Sequence, residues 1–422
     1  MKELFQYEAL GIPQIRLAII ADDITGAFDT GVQFSKRGAR VLVATAPQAV
    51  RHLTEADVLV IDAQTRHLAP EQAYIQTRSA IRAVVQSNIP YLYVKTDSGL
   101  RGNIGPALKA ALDETGETFI AFSPAYPDTN RVTRGGKQWI DGLPIQESVF
   151  GRDLFEPVRV SRVSDLLRPY GLNVFECHMP YQLPTSSPVV AVFDVERNDD
   201  FTYVAELLKE HGRLHITAGC AAFAAALPSY LGLPDRALPP PIVRSPLMII
   251  CGSLNPITRR QFEYGERLGY TRVVLTQDQL LKEGYFDSSE GQSWLTSMAK
   301  LIQRKNTLMF DTGLCKPKEC SLPQLAQVRG RIARQLGILL LRLLSLDGAG
   351  SFTPMIIGGD TLSGFLGQLN TSEITLDGEV STGVVMFTVD VDGQGIQMLS
   401  KSGGFGTETL LADVIAQDIL VR

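Results

Sequence analysis

Two adjacent carboxylates, Asp22 and Asp23, close the apolar run Leu17–Ala21, and Thr25 and Gly26 follow at once. In open parallel sheets ligands gather beyond the carboxyl ends of the strands. There one carboxylate can take a proton from a substrate hydroxyl or meet Mg²⁺, while its neighbour caps the next helix. Gly26 lets a ligand approach the N-terminus of that helix, which favours anions. A plain N-cap is the competing reading of the pair. A second loop, Lys95-Thr96-Asp97-Ser98-Gly99-Leu100-Arg101-Gly102-Asn103, follows the run Tyr91–Val94. Lys95, Thr96, Asp97, Ser98 and Arg101 make a cradle for a carboxylate or phosphate. A solvated turn is its alternative. Arg66, after Val58–Asp62, joins the same ring of strand ends. A third stretch, Ser123–Pro127 and then Asn130–Lys137, holds Arg131, Arg134 and Lys137 among glycines. It reads as an irregular lid over an anion or as an ordinary surface loop, with even weight.

The second half offers phosphate chemistry. Gly358, Gly359, Asp360 and Thr361 stand between an apolar run and a helical pattern, where paired glycines turn backbone N–H groups inward. No Gly-Lys-Ser/Thr follows, so this is not a Walker loop. Ser253 and the stretch Lys401–Gly406, with Gly403 and Gly404, complete a polar rim suited to a nucleotide.

The elements that must position these loops alternate along the chain. Apolar runs at Leu17–Ala21, Val41–Ala44, Val58–Ile61, Leu92–Val94, Phe119–Phe122 and Val189–Val195 read as buried strands, with helical patterns such as Gln72–Val85 and Ile104–Asp113 between them. A second series starts at Leu247–Cys251. It continues through Val273–Leu275, Leu308–Phe310, the helical pattern Gln324–Leu344, Met355–Ile357, antiparallel strands near Val384–Val391 and a last helix at Glu408–Leu420. The fold class is α/β: two domains with mainly parallel sheets flanked by helices. Pro228–Pro246 carries six prolines. Such a run cannot enter a sheet interior, so the domains are placed at 1–230 and 247–422, with a Pro-rich linker at 231–246. Thr217–Ala224, with Cys220, reads as a small-residue helix.

Composition narrows the function. The 422 residues carry 40 basic and 45 acidic side chains, a formal net charge of -5. That balance argues against nucleic acid and anionic membrane as partners. Five scattered cysteines, including Cys315 and Cys320, read as reduced thiols, and Met1–Gln14 lacks the apolar core of a signal peptide. A cytoplasmic protein is expected. His52, His67, His178, His211 and His215 show no metal spacing.

The motifs together resemble the four-carbon acid sugar kinase family. Ala21-Asp22-Asp23-Ile24-Thr25-Gly26-Ala27 with Asp29-Thr30-Gly31 is similar to its opening motif, and Lys95–Ser98 with Leu100–Asn103 to its second. Ser123-Pro124-Ala125 is similar to its third. Gly252-Ser253, Gly358–Thr361 and Lys401–Gly406 follow in the order of its nucleotide-domain motifs. Gly99 stands where many members have a hydroxyl residue, and Leu362-Ser363-Gly364-Phe365 also departs from the common pattern. The resemblance implies an N-terminal acid-sugar domain, a C-terminal nucleotide domain, and ATP-dependent phosphorylation of the terminal 4-hydroxyl of threonate, erythronate or 3-oxo-tetronate, with D-threonate favoured. By that likeness Asp22 or Asp23, Arg66 and Lys95 through Ser98 contact the sugar. Ser253, Gly359 through Thr361 and Gly404 contact ATP.

The expected mechanism has a carboxylate, Asp23 or Asp360, take the hydroxyl proton, with Asp22 as a cap or metal partner. Mg²⁺ and backbone N–H groups neutralise the phosphates, and Arg66, Lys95 or Arg101 holds the sugar carboxylate. Domain closure across the linker would exclude water. Metal ligation by protein groups is left open, as is a homodimer. A lyase or synthase acting on a phosphorylated sugar acid, and a non-catalytic sugar-acid sensor, are the alternatives.

Overall fold

Runs of Ile, Val, Leu and Ala that are apolar at every position, not at alternate ones, must be covered on both faces, and helices do the covering. The computed structural model of the chain describes residues 15–45, 56–153, 156–313, 322–371 and 373–421. Cys315, Cys320, His52 and the Met1–Gln14 segment lie outside them. The chain divides into two units, Met1–Leu238 and Pro239–Arg422.

Unit 1 runs β1 (Leu17–Ala21), α1 (Ile24–Ser35), β2 (Val41–Ala44), β3 (Val58–Asp62), α2 (Pro70–Gln86), β4 (Tyr91–Lys95), α3 (Ile104–Thr115) and β5 (Phe119–Ser123). Then come β6 (Arg131–Arg134), β7 (Lys137–Ile140), β8 (Leu143–Pro144), α4 (Val163–Leu167), β9 (Val174–Cys177), β10 (Val189–Phe193), α5 (Asn198–Glu210), β11 (Ile216–Gly219) and α6 (Ala221–Ala225). The strand order is β2-β3-β1-β4-β11-β5-β10-β9, with every pair parallel. Ala18, Ile20, Leu59 and Ile61 share a core with Ala80 and Ile81 of α2 and Leu108 and Ala111 of α3. Leu17 and Ile19, which point to the other face, are equally buried. Each fully buried Leu, Ile or Val contributes roughly 1.5–3 kcal/mol.

Two expectations need correction here. Thr217–Ala224 is not one helix: it is the end of β11, which fills the sheet between β4 and β5, followed by the short α6. The stretch 124–153 is not irregular. It folds into a three-stranded antiparallel sheet, β6-β7-β8. Gly135 and Gly136, at φ 58° and 70°, form the tight turn whose twist matches a hairpin.

After α6 the chain stays on unit 1. Leu231 is buried, Arg236 N donates to Arg37 O, and Leu238 N donates to Lys36 O. Val243 already belongs to the core of unit 2.

Unit 2 runs β12 (Leu247–Cys251), α7 (Pro256–Arg267), β13 (Thr271–Val274), α8 (Gln277–Leu281), α9 (Ser289–Ile302), β14 (Leu308–Asp311) and α10 (Leu322–Leu344). It continues with β15 (Thr353–Ile357), α11 (Gly359–Leu366), β16 (Glu373–Ser381), β17 (Val384–Val391), β18 (Gln394–Lys401) and α12 (Leu410–Val421). The order is β13-β14-β12-β15-β18-β17-β16, parallel as far as β18 and antiparallel beyond it. Leu247, Ile249 and Cys251 pack with Phe262 of α7 and with Leu411 and Val414 of α12. Among the described residues no helix is long and apolar enough to cross a membrane.

Candidate active site

Register brings the strand ends of unit 1 together: Ala21 pairs with Asp62 on one side and Lys95 on the other. The residues just beyond them share one rim. The carbonyl of Asp22 accepts the backbone N–H groups of Thr65 at 2.9 Å and Arg66 at 3.1 Å, which folds Arg66 back over the acidic pair. Arg66 then grips Asp22 as a fork, Nε to Oδ2 at 2.7 Å and Nη2 to Oδ1 at 2.9 Å, and its Nη1 donates to Asp23 Oδ2. The other oxygen of Asp23 accepts Gly26 N–H at 2.6 Å and caps α1. The cap is therefore Asp23 and not Asp22, because the backbone stays extended through Asp23 (φ -149°, ψ 164°) and turns helical only after it. Burial pushes the Asp23 carboxyl above its ordinary value. Arg66 and Lys95 pull the other way, and the neighbouring charge of Asp22 adds to the rise.

Lys95 is buried and has no carboxylate within ion-pair distance among the described residues. Its Nζ and Asp23 Oδ1 both lie 2.8 Å from the point a Cβ on Gly26 would occupy, so the two groups face each other across that glycine. Asp97 is gripped by Arg101, Nε to Oδ2 at 2.8 Å and Nη2 to Oδ1 at 3.2 Å. Burial alone would raise its carboxyl, but Arg101 and Arg66 hold it far below the usual range. Ser98 Oγ accepts from Arg131 Nη1 at 2.5 Å. Thr96 Oγ1 is buried without a hydrogen-bond partner. Asn103 anchors the Arg66 loop by donating to the carbonyls of Thr65 at 2.8 Å and Leu68 at 2.9 Å. Asp22, Asp23, Arg66, Lys95, Thr96, Asp97, Ser98 and Arg101 thus occupy one rim.

In unit 2 the last row of the sheet reads Val274, Asp311, Cys251, Ile357, Lys401 across five strands. The three loops beyond it close on one another. A Cβ on Gly252 would strike Thr361 Oγ1, and one on Gly403 would strike Ser253 Oγ. Gly358 sits at φ 109°, a conformation that L side chains rarely adopt. Gly359 opens α11, Asp360 and Thr361 occupy its first turn, and Gly404 follows Gly403 in the loop after β18. Thr258 and Gln261 of α7 fix that loop by donating to Gly403 O at 2.6 Å and Phe405 O at 3.1 Å. Asp360 is mostly exposed and ion-paired with Arg329 at 3.0 Å. Lys401 is buried, its Nζ donates to Ser402 O at 2.8 Å, and burial pushes its ammonium down to about 8. Beside this rim opens a cavity of 260 Å³, lined among others by Ser253, Leu254, Arg259, Phe262, Arg272 and Asp311. Among the described residues no group of three or more His, Cys, Asp or Glu is placed to hold a metal ion.

Residues 17–227 match the sugar-binding N-terminal domain, and residues 248–411 match the nucleotide-binding C-terminal domain. The chain belongs to the four-carbon acid sugar kinase family. Relatives of this kinase cover it nearly end to end. The D-threonate kinase of Salmonella typhimurium is 26% identical over 427 residues, 95% of this chain and 98% of that one. The D-threonate kinase of Bordetella bronchiseptica is 28% identical over 430 residues, 96% of each. A solved Haemophilus influenzae protein of the DUF1537 family shares the fold, with a TM-score of 0.69 at 18% identity over 95% of this chain and 100% of that one.

Some of the kinase's rim groups escape a reading by motif. Asp62 ends β3 at 3% exposure, and its Oδ1 accepts Gln64 N–H at 3.2 Å. Burial first, and then the charge of Asp23, pushes its carboxyl up to about 8. Its signal is an acid closing an apolar run, the same pattern that marks Asp22. Phe150 is a further omission: the guanidinium groups of Arg101 and of Arg131, one of the three cations read as a lid, lie over its ring, 5.0 and 5.1 Å from its centre. Arg134 and Lys137, named with Arg131, turn outward instead, Arg134 to Glu196 at 2.5 Å. In unit 2 the omissions are Arg272 and Asp311, paired at 2.7 Å, where Asp311-Thr312-Gly313 directly follows a strand.

The Asp62 carboxyl yields a stability prediction. The native state keeps this proton up to about pH 8, whereas the ordinary value is 3.8. Between those limits the native state binds more protons than the unfolded chain, so stability falls as pH rises. Asp62→Asn removes that dependence. Its melting temperature should exceed wild type by about 5 °C at pH 8, with the gap shrinking toward pH 4–5. Thermal unfolding across that range checks it, and a gap that does not vary with pH would contradict it.

Proposed function

We propose that this kinase transfers the γ-phosphoryl group of ATP to the terminal hydroxyl of a four-carbon acid sugar, D-threonate first among them. The observation that carries the reading is Asp23, a carboxyl pushed up by burial, facing the unpaired ammonium of Lys95. A carboxylate with a raised pKa is the better base toward an alcohol. A cation beside it can steady the oxygen that loses the proton and the phosphoryl group that arrives. Asp23 is favoured over Asp360 because Asp360 points to solvent and Arg329. One lone pair on each Asp23 oxygen remains after the Gly26 and Arg66 bonds, enough to accept the hydroxyl.

In unit 2 the N–H groups of Gly358 through Thr361, the Thr361 hydroxyl and the glycine loop at Gly403 and Gly404 suit the phosphates of ATP. Ser253 stands at their centre, and the cavity walled by Leu254 and Phe262 suits the base. Mg²⁺, carried mainly by phosphates and water, would neutralise the nucleotide charge. The preference for D-threonate rests on relatives of that name, the Salmonella and Bordetella kinases among them. Cys177, Cys220 and Cys251 are free thiols, in keeping with a cytoplasmic enzyme.

Gly358→Ala is expected to raise the KM for ATP about tenfold, since the strained backbone and the added Cβ cost roughly 1–3 kcal/mol in the nest. The KM for the sugar acid should not move. Unchanged ATP affinity would remove the nest from the nucleotide site. The reading as a whole is tested by coupled ADP detection with Mg-ATP and a panel of D- and L-threonate, D- and L-erythronate and their 3-oxo forms. ADP release that depends on one of them supports it. ATP binding without acid-dependent release rules out these acceptors.

A further inference from the structure

The cations of the unit 1 rim differ in what already neutralises them. Arg66 is forked onto Asp22 and also touches Asp23, and Arg101 is forked onto Asp97. Both meet an incoming acid with their charge matched. Lys95 is unmatched but stands at Asp23, where the hydroxyl reacts. Arg131 is the other unmatched cation: among the described residues no carboxylate lies within ion-pair distance of it. Its Nη1 donates to Ser98 Oγ, its guanidinium rests against Phe150, and its Nε is buried with no hydrogen-bond partner. A buried donor left unmet costs about 1–3 kcal/mol, more for a charged group. A planar fork of this kind matches a carboxylate.

The surroundings are built to hold that arginine. Arg131 N donates to Tyr126 O at 3.1 Å, and Tyr126 N donates back to Arg131 O at 2.7 Å. The buried amide of Gln138, on the paired strand, donates to Ser98 O at 3.1 Å and Pro124 O at 3.3 Å and accepts the Thr133 hydroxyl at 2.7 Å. The hairpin and the Ser98 loop are therefore one assembly. Two further buried hydroxyls without partners, Thr96 and Ser123, flank Gly219 at the ends of β4 and β5.

We propose that Arg131, with Ser98, binds the carboxylate of the substrate and so sets the requirement for an acid sugar, while Arg66 and Arg101 position Asp22, Asp23 and Asp97. The assignment rests on the acid-sugar reading of unit 1. It is an alternative to the expectation that Arg66, Lys95 or Arg101 holds the carboxylate.

Calorimetric binding of D-threonate and D-erythronate to the full chain, without nucleotide, tests it. Arg131→Ala should weaken the tighter of the two by about 100-fold, with ATP affinity unchanged. Added guanidinium should restore part of the loss, which a merely structural role would not allow. Arg131→Lys, which keeps the charge and loses the fork, should fall between the two and serves where the alanine variant does not fold. An unchanged acid-sugar Kd, or a loss shared equally with ATP and not rescued by guanidinium, would overturn the assignment. Wild type that binds the acid but releases no ADP would count against the kinase reading alone, since the Kd ratio still judges Arg131. Wild type that binds neither acid would overturn both.

Discussion

Asp23→Asn is expected to lower kcat about 100- to 10,000-fold, the usual worth of a general base, with the melting temperature close to wild type. Asparagine caps helices as well as aspartate does, so the bond from Gly26 N–H survives and α1 keeps its start. Arg66 keeps its fork on Asp22. The change therefore removes the proton acceptor and, because the asparagine NH₂ that takes the place of Oδ2 cannot accept, the single bond from Arg66 Nη1. In wild type the acid limb of the kcat profile should lie above 3.8, because burial raises the Asp23 carboxyl. In the variant that limb should vanish. Asp360→Asn, made in parallel, should be far milder, since that side chain is paired with Arg329. Near-normal turnover in Asp23→Asn would take the base role away from it.

Arg66→Met is expected to be the most destabilising change at this rim, by about 3–5 kcal/mol. The arginine and Asp22 side chains are each 12% exposed, and Asp23 is 26% exposed. Without the guanidinium, two adjacent carboxylates face each other with little water to screen them. Asp23, already raised by burial and then without the pull of Arg66, would hold its proton to higher pH than in the unfolded chain, so the loss should be larger at pH 8 than at pH 4. Adding Asp22→Asn to Arg66→Met should recover part of the stability by removing one stranded charge, and the difference reads the pair's coupling. A melting temperature for Arg66→Met within a degree or two of wild type would show that the fork is not holding the rim.

Strand ends are legible in this chain because the core strands are continuous apolar runs, and the loops that follow them carry the unusual residues. Asp22, Lys95 and Gly358 can be named from type and position for that reason. What a linear reading lacks is pairing across distance. Arg66 and Asp22 are 44 residues apart, and only the register of β1 against β3 brings them together. The cap shows the same limit: choosing between Asp22 and Asp23 needs the backbone dihedrals. Arg131 and Arg134 look alike in sequence, but residues two apart share a strand face. Arg131 and the buried Thr133 therefore turn inward, while Arg134 turns to solvent. Reading 124–153 as irregular misses a hairpin whose Gly135-Gly136 turn is itself visible in the sequence. Asp62 is hard to single out because one acid at a strand end is common, and its raised carboxyl comes from burial beside two acids distant in sequence.

Phosphoryl transfer from ATP to the terminal hydroxyl of the acid sugar leaves a product with its own chemical signature. Phosphorus NMR of a reaction containing Mg-ATP, D-threonate and the full chain tests it most directly. A phosphomonoester signal coupled to the two protons of the terminal methylene carbon is expected, appearing in step with ADP. Inorganic phosphate alone, or a product carrying phosphorus on the carboxylate, would contradict it.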